Sequence, residues 1–229
     1  MRMRAAPLLL GVALVAGCGG GSGGTTTNRE HAKPAKQVVA DAVRAARRAS
    51  AVHVFGHVRS GKTPLALDLT LVRGKGATGS VSENGLSFDL VQVGDTVYIK
   101  GSDAFWRKYA GSAATLLHGR WISAPAGKGE FAQLAPLTSA AKLFALVEST
   151  HGRLVNRGPA TYQGQSVVEI RDTSDGSKLY VSATGTPYPV ALAGGGKHAD
   201  DQLRFDRWNG RTSLSAPQHA IDVSQLAAG

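Results

Sequence analysis

The chain has 229 residues, 42% of them hydrophobic, with 26 Lys and Arg against 16 Asp and Glu and a formal net charge of +10. That is enough material for one domain with a sizeable core. The single cysteine excludes a framework of intrachain disulfides, so the fold must rest on packing.

Met1-Arg2-Met3-Arg4 opens the chain, followed by an apolar run from Ala5 that closes on Val15-Ala16-Gly17-Cys18. A positive start holds the N-terminus on the cytoplasmic side while a short apolar segment enters the membrane. The run is too short for a comfortable membrane-spanning helix. Small residues before Cys18 leave a peptidase an unhindered extended backbone. This pattern resembles the bacterial lipobox. The resemblance implies that residues 1–17 are a signal peptide, and that Cys18 is acylated and becomes the mature N-terminus. It also implies a protein lipid-anchored to the cell membrane on its extracytoplasmic side. That compartment offers no ready ATP or reduced nicotinamide. Removing Arg2 and Arg4 with the leader leaves a formal +8. Such a charge draws a tethered protein towards anionic headgroups, or serves solubility alone. Residues 18–32, rich in Gly, Ser and Thr, read as a flexible tether, with an r.m.s. span of roughly 20 Å.

The remainder, 33–226, reads as one domain with no internal repeat. Pro34 sits where a helix can start, and Ala35, Val38, Ala42, Ala45 and Ala49 form one apolar stripe over 35–50. Lys36, Arg44, Arg47 and Arg48 fall mostly off it, as a solvated side. From Ala51 the period becomes two. Val52, Val54, Gly56 and Val58 alternate with His53, Phe55, His57 and Arg59. Leu65, Leu67, Leu69 and Leu71 alternate with Ala66, Asp68, Thr70 and Val72. Leu86, Phe88 and Leu90 follow, then Val97 and Ile99 about Tyr98. Gly and Asn cluster between these runs, and Asn84-Gly85 is a strong hairpin signal. Five consecutive strands therefore form an antiparallel meander with one apolar face.

Helical spacing returns over 103–110, 113–118 and 139–149, with Phe105, Trp106 and Tyr109 on the first. Strands are predicted again over 152–156, 166–172, 178–183, 188–193 and 202–208, with a further short one over 219–223. The fold class is α+β: a strongly curved antiparallel sheet of about 11 strands covered by short helices. Between sheet and helices lies either an apolar cavity or a solid core, and the pattern does not choose between them.

Several stretches in this order carry a resemblance. They are Ala49-Ser50-Ala51-Val52-His53-Val54, Leu65-Ala66-Leu67-Asp68-Leu69-Thr70-Leu71 and Gly94-Asp95-Thr96-Val97-Tyr98-Ile99-Lys100. Phe105-Trp106, Arg120-Trp121-Ile122, Gly164-Gln165-Ser166, Lys178-Leu179-Tyr180-Val181 and Tyr188-Pro189 continue it. Together they resemble the LppX/LprG group of bacterial lipoproteins and, more distantly, the carriers LolA and LolB. The resemblance implies an antiparallel half-barrel with a helical lid that binds the acyl chains of an envelope lipid or glycolipid. On that reading Val52, Val54, Leu65, Leu67, Leu69, Leu71, Leu86, Phe88, Leu90, Val97 and Ile99 line the lipid cavity. Phe105, Trp106 and Tyr109 form the lid. The partners are the lipid, the membrane and a membrane transporter, with no nucleic acid, and the protein is a monomer. The alternative is a tethered sensing or scaffolding module that uses the same sheet to bind a protein.

Catalytic chemistry is thin. Gly56-His57-Val58-Arg59-Ser60-Gly61-Lys62-Thr63 fits the spacing of a phosphate-binding P-loop. That loop must feed a helix, whereas Pro64 and alternating leucines follow, so a hairpin turn is expected. His53 and His57 share a strand face but stand ~13 Å apart, too far for one metal ion. His118, His151, His198 and His219 have no ligand spacing, and Gly164-Gln165-Ser166 lacks the second glycine of a nucleophile elbow. Gly194-Gly195-Gly196 reads as a flexible loop. No catalytic residue, metal or cofactor is assigned, and the chain reads as a non-enzyme.

Overall fold

The structure is a computed structural model that describes residues 26–60, 63–128, 132, 134, 137–149 and 151–223. The expected signal peptide 1–17, Cys18, the turn residues Gly61 and Lys62, and 224–226 lie outside the described residues.

The first long element is helix α1 (Ala35–Arg48), which follows the extended Pro34. Its buried face is wider than the expected alanine stripe: Val38, Val39, Ala42, Val43 and Ala46 are all buried. The chain turns extended at Ala49 and enters the first meander. Strands β1 (Ala51–Ser60), β2 (Thr63–Val72), β3 (Gly76–Glu83), β4 (Leu86–Val93) and β5 (Thr96–Gly101) pair antiparallel in sequence order. Asn84 and Gly85 adopt φ of 48° and 79°, the left-handed pair that a two-residue hairpin turn of this kind requires. Gln163 and Gly164 repeat this at 47° and 81°.

Helices α2 (Asp103–Tyr109) and α3 (Ala114–Leu117) lead to β6 (Ile122–Pro125), a strand the sequence pattern did not reveal. Helix α4 (Ala140–Ser149) then crosses to the second meander: β7 (Leu154–Tyr162), β8 (Gln165–Asp172), β9 (Lys178–Ser182), β10 (Pro189–Ala193) and β11 (Gln202–Asp206). A two-residue strand, β12 (Ile221–Asp222), adds in parallel to β6. The twelve strands among the described residues form one curved, open sheet in the order β12-β6-β5-β4-β3-β2-β1-β11-β10-β9-β8-β7.

The two meanders join where β1 pairs with β11, from His53 opposite Asp206 to His57 opposite Gln202. Gly56 sits in this seam at φ 133°, where a Cβ would fall 2.1 Å from the Gln202 carbonyl oxygen. Only glycine permits that approach.

The segment expected to end the tether is packed on the sheet. Thr27 bridges to Thr184, and Asn28 Nδ2 donates to the Ser182 carbonyl at 2.7 Å. Glu30 is 2% exposed and accepts from Lys33 Nζ at 2.7 Å, while Lys33 also donates to Asp41 at 2.6 Å. These bonds to Asp41, and then Glu30, hold the Lys33 pKa above its ordinary value.

Candidate functional site: an apolar groove beside a cationic cleft

The inward residues of both meanders merge into a single apolar cluster. Of the expected lining, Val52, Val54, Leu67, Leu69, Leu71, Leu90, Val97 and Ile99 are buried in it, with Leu69 at 2% exposure. Leu65, Leu86 and Phe88 are half-buried. The same cluster takes in Leu117 of α3, Leu134, and Leu143 and Phe144 of α4. Phe144 is enclosed by Phe205 at 5.2 Å and Trp208 at 5.9 Å between ring centres. The leucine face is therefore closely covered.

The three aromatics of α2 share one corner. Gly101 ends β5 so close beneath them that a Cβ would lie 2.4 Å from Phe105 Cδ1 and 2.9 Å from Trp106 Cε2. Ser102 caps the helix, its Oγ accepting from Phe105 N–H at 3.3 Å. Phe105 packs against Phe88 at 5.2 Å, Trp106 is buried, and Tyr109 is 56% exposed.

Open space lies in the other half of the molecule. A groove of about 500 Å³ runs between Val39 of α1 and the inner face of β8–β11, floored by Val58, Ile170, Leu179, Leu192 and Leu203. Leu154 of β7 flanks it. Its mouth is at the strand ends, where Arg59 of β1, Asp172 of β8, Ser177 and Lys178 at the start of β9, and Asp201 and Gln202 at the start of β11 form a polar rim. Arg59 Nε donates to Asp201 at 3.2 Å across this rim. None of the residues expected to line a cavity borders the groove. Its floor comes from α1, the distal end of β1 and the second meander.

Asp172, at the end of β8, is buried and holds the turn beside the mouth. It accepts from the Ser174 hydroxyl, from Ser174 N–H at 2.8 Å and from Gly152 N–H. The Ser174 hydroxyl bond, followed by the backbone donors, holds its carboxyl below the usual range against the opposing effect of burial.

The opposite face of the same ladder is different. Alternation turns Arg171 and Lys178, cross-strand partners, away from Ile170 and Leu179. A cleft of about 810 Å³ opens there, lined by Arg157, Arg171, Lys178, Tyr180, the turn at Thr173–Gly176 and the glycine loop 194–196. That loop is not loose. A Cβ on Gly195 would lie 2.3 Å from the Asp175 carbonyl oxygen, so it seats backbone to backbone on the turn. Groove and cleft share Lys178, Ala193 and Gly194.

On the outer face of the central strands, His53 is buried, with Nδ1 2.6 Å from Asp206 and Nε2 3.0 Å from Asp68. These groups tie β2, β1 and β11 together. Among the described residues no group of three or more His, Cys, Asp or Glu is placed to hold a metal ion. The P-loop spacing is a coincidence of composition: Gly56 is mid-strand, and Thr63 begins β2 instead of a helix. No described helix is long and apolar enough to cross a membrane.

No family model matches the chain, and no curated protein matches it. Solved structures do. LprF from Mycobacterium bovis is similar at 16% identity with a TM-score of 0.57, over 80% of this chain and 96% of that one. The Mycobacterium tuberculosis lipoprotein LppX is similar at 15% identity with a TM-score of 0.49, over 79% of this chain and 98% of that one. At such identity the likeness to LprF is one of fold, and it agrees with the half-barrel resemblance carried by the sequence.

Proposed function

We propose that this chain is an exported, membrane-anchored lipoprotein that binds an acyl chain of an envelope lipid or glycolipid and carries or presents it. The observation that supports this most is the apolar groove with its polar rim at the strand ends of an open half-barrel. The groove's volume of about 500 Å³ is within the range of small-ligand sites and on the scale of a single acyl chain.

Ile170, Leu179 and Leu203 of the groove belong to the same cluster as Val54, Leu67, Leu69 and Leu90. A longer chain would extend along the leucine face by parting α4 from the sheet. The aromatics of α2 would then close the far end of that path. Binding is non-covalent and no residue acts as a catalyst.

The test uses the full chain, freed of bound lipid and titrated with a fluorescent fatty acid. Saturable uptake by wild type is expected. Leu192→Gln, at a half-buried position on the groove floor, should weaken it roughly tenfold or more, because the chain must desolvate an amide without replacing its hydrogen bonds. No uptake by wild type would overturn lipid binding. That result would leave the same sheet to a protein partner, the sensing or scaffolding reading.

A further inference from the structure

The groove and the cleft occupy the two faces of one β8–β9 ladder and adjoin at the strand ends. The groove is apolar, while the cleft is cationic. Arg157, Arg171 and Lys178 face it against the single carboxylate of Asp175, which is occupied by Ser177 N–H at 2.8 Å. Lys178 lies 3.8 Å from Glu169, a long contact. Arg157 and Arg171 have no ion-pair partner among the described residues. Arg171 reaches along the turn, with Nη2 3.7 Å from where a Cβ on Gly176 would stand. The glycines opposite bring only backbone to that side, so nothing bulky fills the space.

Three cations around an open space, two of them without an ion-pair partner, suit the charge and geometry of a phosphate-class anion. The nearest apolar space is the groove on the other side of Lys178, Ala193 and Gly194. We propose that the bound amphiphile folds over the strand ends at Lys178, Ala193 and Gly194. Its acyl chain lies in the groove, and a phosphate-class anionic group of its head is held in the outer cleft by Arg157, Arg171 and Lys178. This deepens the lipid-binding reading and rests on it. It narrows the ligand to an anionic lipid and gives the head a site distinct from the rim, where Arg59 is already paired with Asp201.

The experiment compares three probes on the full, delipidated chain by calorimetry, with each lipid below its micelle concentration. They are palmitoyl lysophosphatidic acid, monopalmitoylglycerol and glycerol 3-phosphate. The first two share chain and glycerol and differ by the phosphate; the third is the head alone. Wild type should bind the phosphorylated lipid roughly tenfold to a hundredfold more tightly than the neutral one, in keeping with one or two charge-assisted contacts. That ratio should shrink steadily as salt is raised, because the cleft is open to solvent. In Arg157→Gln/Arg171→Gln the ratio should fall to near one. The salt series on wild type provides a measurement that needs no variant. Equal affinity of wild type for both lipids, or a ratio that survives the double substitution, overturns the anionic head and leaves chain binding intact. Glycerol 3-phosphate binding as tightly as the phosphorylated lipid makes the cleft a site for a free phosphate and overturns the straddling amphiphile. If neither lipid binds, the lipid-binding reading itself fails.

Discussion

At the scale of single residues, the most informative side chain is Asp172. It is buried at the end of β8 and bonded on both oxygens, and its turn borders both the groove and the cleft. Its carboxyl is held below the ordinary range because Ser174 and Gly152 donate to the charged form. A group whose folded pKa is depressed stabilises the fold above its unfolded pKa, near pH 4, and this contribution fades as pH falls through the folded value. Asp172→Asn should therefore cost about 1–3 kcal/mol at pH 7, since buried donors are left poorly matched. The deficit should begin to narrow as pH falls below the ordinary aspartate value, about 4, and close as pH passes through the lower folded value, where wild type also loses the charge. Thermal melts of the two forms between pH 7 and pH 3 check this, and a deficit that stays constant with pH would sink the assignment. Lys33 behaves in the opposite sense. Its raised pKa means that its clip with Asp41 and Glu30 is in place below the unfolded lysine value and is lost only as pH rises through the folded one.

Among the elements, β1 carries the greatest burden because both meanders hang on it. Gly56 lets β11 approach at that seam, at a φ that L side chains rarely adopt. Gly56→Ala should lower stability by roughly 2 kcal/mol or more, seen as a drop in the thermal midpoint, whereas Gly74→Ala, with open space around it, should lose less. Equal losses at the two positions would mean that the seam tolerates a side chain. Most elements were legible in the sequence, for reasons these residues make plain. Strict alternation from Leu65 to Leu71 and the Asn84-Gly85 turn leave little choice of structure. Strand β6 escaped because Ile122–Pro125 is too short to show a period and ends in proline. Strand β7 was shifted because it runs through Gly158 and Pro159, with a register break between Asn156 and Gly158. The site was less legible than the fold. Periodicity tells which side of a strand faces inward, but not whether the space there is filled. The groove floor draws one or two residues from each of five or more separated elements. The cleft depends on a loop, 194–196, whose close seating on a distant turn has no local signal.

At the scale of the whole molecule, the proposed anchor and the sheet can be considered together. Cys18→Ala should abolish labelling by a fatty-acid probe and release the protein from the membrane fraction, while unchanged labelling would exclude Cys18 as the attachment point. Among the described residues, the N-terminal segment first pairs with the sheet at the bridge from Thr27 to Thr184, beyond the last residue of β9. The groove mouth lies at the first residue of the same strand, Lys178. Five residues of strand separate the two, roughly 15 Å. The N-terminal bridge and the opening thus lie at opposite ends of β9, which gives the body a polarity. On the proposed anchoring at Cys18, the bridged end of the body is the one nearer the attachment point along the chain, and the mouth is the one farther from it. On the proposed function, a lipid would then enter and leave at the end of the body remote from its attachment, and a tether of this kind lets that end swing either towards the bilayer or away from it.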